Sequence, residues 1–214
     1  MKTPVTRLRL RNHLTYSWWK YALLVLIAVF GWNIIYTVTR YRAPEDKKVV
    51  MNVYTYGDQE ALDAYMRDVN QNLMPEMEEM YAAFVSTDDT YGSMIYSAHL
   101  AAAEGDIHVL PRDYFQAYAS SGAYVALEQD EELMAMLEEA GISVTQGWRA
   151  ESETGERHLY GIPCVNLPGI SKYFYLPDDV YLTVLYTNGN DENVLQYLHI
   201  FIADMLRDPS AAAE

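Results

Sequence analysis

The amino-acid sequence predicts an α/β fold in which one transmembrane helix precedes a single external lobe built on a mainly parallel sheet. The first observation is an uncharged apolar run at residues 21–38. The second is the alternation of strand-like and helix-like segments over residues 49–139, which is typical of a parallel sheet covered by helices. The third is a sharp change in charge between these two regions. A chain of 214 residues has room for one globular domain and such an appendage.

The charge changes sign along the chain. Residues 1–42 carry seven basic residues and no acidic residue, whereas residues 43–214 carry 8 basic and 30 acidic residues, a net charge of −22. An acidic body of this kind repels the phosphate backbone, so we expect no nucleic-acid binding. Cys164 is the only cysteine. A single thiol excludes an internal disulfide and a cysteine-rich zinc site.

The apolar run has the length of a membrane span. At the helical rise its 18 residues extend about 27 Å, close to the roughly 30 Å of a hydrocarbon core. Trp18 and Trp19 lie at one end and Tyr36 and Tyr41 near the other, where interfacial aromatic residues are common. The run is longer than the apolar part of a cleaved signal peptide, and no small-x-small cleavage site follows it. The sequence therefore predicts an uncleaved signal anchor.

The orientation of this anchor depends on its basic flanks, which are nearly balanced, with five basic residues before the run and four after it. The short amino-terminal tail has no acid and a cluster at Arg7, Arg9 and Arg11, which favours a cytoplasmic tail. We therefore expect a single-pass cell-membrane protein whose acidic body lies outside the cytoplasm. The predicted segments are a cytoplasmic basic tail at 1–20, the anchor at 21–38, a stalk at 39–48, an extracellular domain at 49–208 and a tail at 209–214.

The first half of the body alternates between strands and helices. Strands are predicted at 49–56, 84–85 and 107–110, and helices at 59–84 with a break at Pro75, 92–103, 114–119 and 130–139. The order of the apolar segments predicts that residues 51–56 pair in parallel with 107–110, through right-handed crossover connections. The segment at 84–85 should lie beside the first strand, and helices should cover both faces of the sheet.

The second half of the body has a different pattern. Strands are predicted at 142–150, 158–165, 173–176 and 180–186, and a final amphipathic helix at 194–206. Five aromatic residues in this half form a stacking surface for sugars or, alternatively, fill a core or a protein interface: Trp148, Tyr160, Tyr173, Phe174 and Tyr175.

Several short segments of the body, in this order, resemble one family. The longest is GDIHVLPRDYFQAYASSGAYVAL at 105–127, preceded by VYTYGD at 53–58 and followed by LYGIP at 159–163 and by the segment 181–202. These segments resemble the extracellular (periplasmic) solute-binding proteins of ABC transporters, of the sugar-binding type 2 class. The resemblance implies a periplasmic-binding-protein-like lobe, a small polar solute as ligand and an ABC permease as partner.

The chain also departs from that family's pattern. Family members are usually about twice as long, with two lobes that enclose the ligand, and carry a lipid-anchor cysteine where this chain has an apolar helix. Few residues separate the family-like segments at 105–127, 159–163 and 181–202. A compact domain seldom has fewer than about 50 residues, so these intervals have little room for a full second lobe. The resemblance therefore implies a shortened, membrane-anchored form with one lobe and a reduced second lobe.

Ligands of open α/β sheets bind outside the carboxyl ends of the strands, which selects three loops. These are residues 56–58, residues 86–90 before a helix whose amides can bind a polar group, and residues 111–113. Aspartate and arginine bind hydroxyl groups, and tyrosine stacks on sugar faces. Alternatively, the same residues are ordinary turn and capping residues. The candidate ligand-binding residues are Tyr56, Gly57, Asp58, Thr87, Asp88, Asp89, Arg112, Asp113 and Trp148.

Other chemistry has no pattern in the sequence. The histidines lack the spacing of metal ligands, and nucleotide-binding and hydrolase motifs are absent, so we expect no metal, no cofactor and no enzymatic activity. Two functions remain. The first is a membrane-anchored solute-binding-like protein for a sugar or another small polar solute in ABC-type uptake. With a reduced second lobe, it would need a second surface from a homodimer or a partner protein for tight binding. The second is a ligand-free accessory protein that docks on another membrane or envelope protein.

Overall fold

The computed structural model describes residues 7–85, 91–175, 180–186 and 189–207, without the side chains of residues 8–10, 12 and 14. The chain divides into two compact units, Met1–Arg42 and Ala43–Glu214. The first unit contains helix α1 (Arg7–Thr39), of 33 residues. Its stretch Thr15–Thr39 is long and apolar enough to cross a membrane, and its large apolar side chains are exposed.

The second unit is an α/β domain with five further helices and seven strands among its described residues. The helices are α2 (Gln59–Asn72), α3 (Gly92–Ala101), α4 (Arg112–Tyr118), α5 (Glu131–Glu139) and α6 (Asp191–Leu206). The strands are β1 (Lys48–Val53), β2 (Glu79–Phe84), β3 (Ile107–Pro111), β4 (Trp148–Ala150), β5 (Arg157–Leu159), β6 (Ile162–Pro163) and β7 (Val180–Val184). The predicted tail at 209–214 lies outside the described residues.

Strand β2 is longer than the sequence predicts. The spacing of apolar residues predicts a helix that continues to residue 84, but α2 ends at Asn72 and β2 begins at Glu79. The amides of Leu73 and Met74 both bond to the carbonyl of Val69, which closes the helix before Pro75. The following segment alternates exposed and buried residues at its start, as a half-buried strand does.

The main sheet has the strand order β2-β1-β3-β7-β6. Strands β2, β1 and β3 are parallel, with Val53 opposite Phe84 and Met51 opposite Ile107, as the sequence predicts for these segments. Strand β7 runs antiparallel to both β3 and β6, so the sheet is mixed and a mainly parallel sheet is not confirmed. The chain reaches β7 from the carboxyl ends of β1 and β3, because Phe174 forms a bridge with Gly57, and it must therefore run in the opposite direction.

Helices cover both faces of this sheet. On one face, alternate strand residues such as Met51, Val109 and Leu182 pack with buried residues of α2, α5 and α6. On the other face, Tyr54 and Leu110 pack with buried aromatic residues of α3 and α4. Strands β4 and β5 form a separate antiparallel pair of three residues each, in the region where a reduced second lobe is expected.

Candidate functional site

The three parallel strands end at one edge of the sheet, which we call the carboxyl edge: β1 ends at Val53, β2 at Phe84 and β3 at Pro111. The loop after β1 and the start of α4 after β3 therefore lie at the same edge, as the sequence predicts. The loop after β2 contains the candidates Thr87, Asp88 and Asp89, which lie outside the described residues.

The loop after β1 is packed against the chain itself. A side chain at Gly57 would place its Cβ 2.2 Å from the carbonyl oxygen of Tyr173, so only glycine fits there. The Asp58 amide donates to the same carbonyl at 2.8 Å. The Asp58 carboxylate accepts from the Ala61 amide at 3.0 Å and caps α2. Of the three candidates in this loop, Tyr56 has the most exposed side chain, at 66%.

The candidates after β3 open helix α4. Arg112 and Asp113 form its first turn and are both exposed to solvent. Asp113 lies where a negative charge is stabilised by the helix dipole. These two residues and Tyr56 are thus carried to the same edge by neighbouring parallel strands, and nothing in this arrangement requires them for the core.

Trp148 lies on the small antiparallel pair rather than on the main sheet. It is half-buried and packs against the larger hydrophobic core. The next residue, Arg149, places its guanidinium 5.0 Å from the centre of the Phe115 ring in α4. Phe115 in turn stacks on Tyr181 of β7 at 4.3 Å. The β4–β5 pair is therefore fixed beside α4, one turn beyond Arg112 and Asp113.

Exposed aromatic side chains gather at the carboxyl edge. Tyr175 is 66% exposed, and its amide donates to the carbonyl of Tyr56 at 3.0 Å, so the two tyrosines are neighbours. Tyr91, directly before α3, is also exposed. The sequence indicates Tyr175 only as one member of an aromatic group, of which Tyr160 and Phe174 are buried in the core. We call Tyr56, Tyr91 and Tyr175 the tyrosine group.

Behind the carboxyl edge, hydrogen bonds between tyrosine and histidine side chains connect α3 to the rest of the domain. The Tyr54 hydroxyl bonds to Nδ1 of His99 at 2.7 Å, and the hydroxyls of Tyr96 and Tyr124 bond to each other. Nε2 of the buried His108 lies 3.0 Å from the Glu104 carbonyl, which can only accept, so Nε2 carries the proton. Burial lowers the pKa of His108 to about 4 and keeps it neutral at pH 7.

Side chains with the chemistry of metal ligands or nucleophiles do not cluster here. Within the described ranges, no group of three or more histidine, cysteine, aspartate or glutamate side chains is placed to hold a metal ion. Cys164 is fully buried, and burial raises the pKa of its thiol to about 12. The thiol therefore stays protonated at neutral pH and is a poor nucleophile.

The chain matches no protein-family model and no curated protein sequence. Several solved structures are similar to part of it. An extracellular solute-binding protein family 1 member from Alicyclobacillus acidocaldarius has a TM-score of 0.41 and 20% identity over 54% of this chain and 27% of its own. Maltose-bound MalE3 of T. maritima has a TM-score of 0.41 and 17% identity over 55% of this chain and 28% of its own.

A third similar structure is an ABC substrate-binding protein from Listeria monocytogenes in complex with cycloalternan. It has a TM-score of 0.39 and 16% identity over 53% of this chain and 28% of its own. This chain thus spans little more than a quarter of the length of each of these proteins.

Proposed function

We propose that this chain is a membrane-anchored, extracytoplasmic solute-binding-like protein that contacts a sugar or another small polar solute in ABC-type uptake. In this proposal residues 1–20 lie in the cytoplasm, α1 anchors the chain in the membrane, and the unit Ala43–Glu214 lies outside. Its partners are the membrane, the solute and an ABC permease or a second copy of the chain. The protein carries out no covalent chemistry.

One observation carries the proposal: the tyrosine group lies exposed at the carboxyl ends of parallel strands, where α/β proteins bind ligands. The backbones of Tyr56 and Tyr175 are neighbours and both side chains are exposed, and an aromatic ring beside polar groups suits the apolar face of a sugar. Arg112 and Asp113, in the first turn of α4 after the adjacent strand β3, supply charged groups for the solute's hydroxyl groups. The order of family-like segments in the sequence supports the same reading.

A single lobe gives this solute an open site. Good small-molecule sites bury about 70–90% of their ligand, which two closing lobes achieve and one exposed edge does not. Hydrogen bonds that remain in contact with water contribute only about 0.5–1.5 kcal/mol each. We therefore expect affinities that are millimolar, about −4 kcal/mol, or weaker unless a second surface covers the site.

The alternative function is a ligand-free accessory protein that docks on another membrane or envelope protein. It is favoured by the loop after β1, which is filled by the chain itself: Asp58 caps α2, and Gly57 packs on Tyr173. A protein partner uses exposed tyrosines as readily as a sugar does. The two functions differ in whether an isolated solute binds at all.

Calorimetry on the full-length chain in detergent, with a panel of sugars and oligosaccharides, tests the solute-binding function. The informative variant is Tyr56→Ala, and Tyr186→Ala is its matched control because Tyr186 is 56% exposed and follows β7 at the opposite edge. We expect millimolar binding that Tyr56→Ala abolishes and Tyr186→Ala leaves unchanged. Absence of binding to every compound of the panel favours the docking function.

Protease accessibility tests the membrane topology separately. If α1 anchors the chain with its body outside, protease added to intact cells without a wall digests the region beyond Arg42, and the protein remains in the membrane fraction after alkaline washing. Full protection of that region contradicts the proposed orientation, and release into the soluble fraction contradicts the anchor.

A further inference from the structure

The edge of the sheet opposite the tyrosine group is concave. There, at the amino ends of β1 and β3, is a cavity of about 470 Å³, within the size range of small-molecule sites. It is lined by the turn before β1, the end of α3, the turn before β3 and the start of α6. The charged or polar side chains in its wall are Glu45, Lys48, Glu104, Asp106 and Asn190.

Asp106 is the most constrained charged group of this cavity. It is only 8% exposed, and its Oδ2 atom accepts from the Val50 amide at 2.7 Å. Its backbone is held by bonds to Val50 and Leu185. The other carboxylate oxygen, Oδ1, has no hydrogen-bond partner among the described residues and is not sealed in the protein interior. Asp106 lines the cavity, and Oδ1 is the carboxylate oxygen that its contact with the Val50 amide leaves available for a ligand.

The remaining wall adds negative potential. Ala102 and Ala103 follow α3 and line the cavity, and a helix end presents carbonyl groups that lack helical partners and attract cations. The Lys48 ammonium is paired with Glu45 at 2.9 Å, and its positive charge also favours the ionised form of Asp106, so one ammonium is shared between these two carboxylates. The wall thus carries three carboxylates, of Glu45, Glu104 and Asp106, against one ammonium, and Oδ1 of Asp106 has no hydrogen-bond partner among the described residues.

We propose that this cavity binds a small organic molecule through a primary ammonium group, which bonds to Oδ1 of Asp106. An ammonium group has three donors and matches an arrangement of carboxylate and carbonyl oxygens. A metal ion fits less well, because the described residues offer no group of three ligating side chains for it. The site is separate from the tyrosine group and does not depend on the solute-binding function.

The burial of Asp106 also favours the binding of a cation. The low polarity around Asp106 raises the pKa of its carboxyl to about 6, so the ionised form is poorly stabilised without a ligand. A bound ammonium supplies a positive charge in addition to that of Lys48, and a charge-assisted hydrogen bond, which is stronger than a neutral one.

Calorimetry on the full-length chain in detergent, at pH 7.5 and physiological salt, tests this proposal with 1,4-diaminobutane as probe and uncharged 1,4-butanediol as its matched compound. The informative variant is Asp106→Asn, because the amide oxygen of asparagine still accepts from the Val50 amide. We expect the diamine to bind and the diol not to bind, and Asp106→Asn to weaken diamine binding about tenfold or more, the effect of losing one charged hydrogen bond.

The matched control is Glu153→Gln, which removes the same charge from an exposed turn between β4 and β5. It separates a site from general attraction to the acidic body, so it should leave diamine binding within about twofold. Equal losses in Asp106→Asn and Glu153→Gln, or no heat of binding to the diamine, would overturn the proposal. Glu104→Gln is a second variant, at an exposed side chain, and should weaken binding by a smaller factor.

The test of diamine binding at the amino edge does not depend on sugar binding at the carboxyl edge. Tyr56→Ala should leave diamine binding unchanged, and Asp106→Asn should leave any sugar binding unchanged. If sugar binding is absent while the diamine binds, only the function at the carboxyl edge fails.

Discussion

The two edges of the main sheet use their charged residues in different ways. At the carboxyl edge, Asp58 caps α2 and the loop around it is filled by the chain, so the exposed chemistry is mainly aromatic. At the amino edge, Asp106 precedes β3, where no helix begins, and its carboxylate lies half-satisfied beside a cavity. The two aspartates therefore differ because Asp58 caps a helix, whereas Asp106 precedes a strand and has no helix of its own to cap.

The largest effect is expected from Gly57→Ala at the carboxyl edge. The new methyl group would lie 2.2 Å from a backbone oxygen and 2.9 Å from the Phe84 ring, so backbone must move. We expect a loss of about 4 kcal/mol in the free energy of unfolding, measured by denaturant titration. Gly155→Ala is the control, since its turn has open space and only a positive φ, and should lose about 1 kcal/mol. Equal losses would show that the loop after β1 is not filled.

At the amino edge, Asp106→Asn should increase the free energy of unfolding rather than decrease it. Ionised Asp106 is poorly solvated, and its carboxyl pKa of about 6 lies above the ordinary value of 3.8. Ionisation at pH 7 therefore costs stability, and Asp106→Asn should raise the free energy of unfolding at pH 7 by about 2 kcal/mol. Thermal unfolding measures this directly. A lower melting temperature would mean that the carboxylate is paired in the free protein.

The pH dependence of stability distinguishes two buried groups, Asp106 directly before β3 and His108 within β3. Burial lowers the pKa of His108 from 6.5 to about 4, so its contribution to stability is complete above pH 6.5 and is lost as the pH falls toward 4. Asp106 contributes in the opposite direction: its raised pKa makes the fold more stable as the pH falls from about 6 toward 3.8. The two contributions partly cancel between pH 4 and pH 6.

Asp106→Asn removes one of these opposing contributions. The variant should lose stability more steeply than the parent chain between pH 6 and pH 4, with a difference on the order of 2 kcal/mol over that interval. Glu45, Lys48 and Asp191 face Asp106, while His99 and Glu104 face His108; they are present in both proteins. Denaturant titrations at several pH values measure the slope, and parallel slopes would contradict the raised pKa of Asp106.

The sequence predicted the parts of this fold that depend on local patterns. Alternating strand-like and helix-like segments located β1, β3 and most helices, and the same alternation predicted the parallel pairing of β1 and β3. The direction of β7 was not predictable in this way, because it depends on the contact of Phe174 with Gly57, 117 positions away in the chain. Likewise, the start of β2 was hidden by apolar residues whose spacing suits both a helix and a strand.

The sequence predicted where the candidate site lies in the fold, but not which of its residues are available to a ligand. The rule for strand ends indicated Tyr56, Arg112 and Asp113, which neighbouring strands carry to one edge, but residue types alone could not separate the capping role of Asp58 from ligand binding. The amino-edge cavity gave no sequence signal, because Asp106 follows Gly105 as an ordinary turn residue would. The walls of the cavity come from segments that are distant from one another in the sequence: the turn before β1, the end of α3 and the start of α6.

The smallest effect is expected from Asp58→Ala, and it decides what the carboxyl edge uses this aspartate for. Loss of the bond to the Ala61 amide should cost about 1 kcal/mol, the usual value of an N-cap. Asp58→Asn should restore most of this loss, because its amide oxygen can also cap the helix. Sugar binding, where calorimetry detects it, should be equal in the two variants once both are folded. A loss of binding in Asp58→Asn, with stability retained, would show that the carboxylate contacts the solute, and the carboxyl edge would then use its charges as the amino edge does.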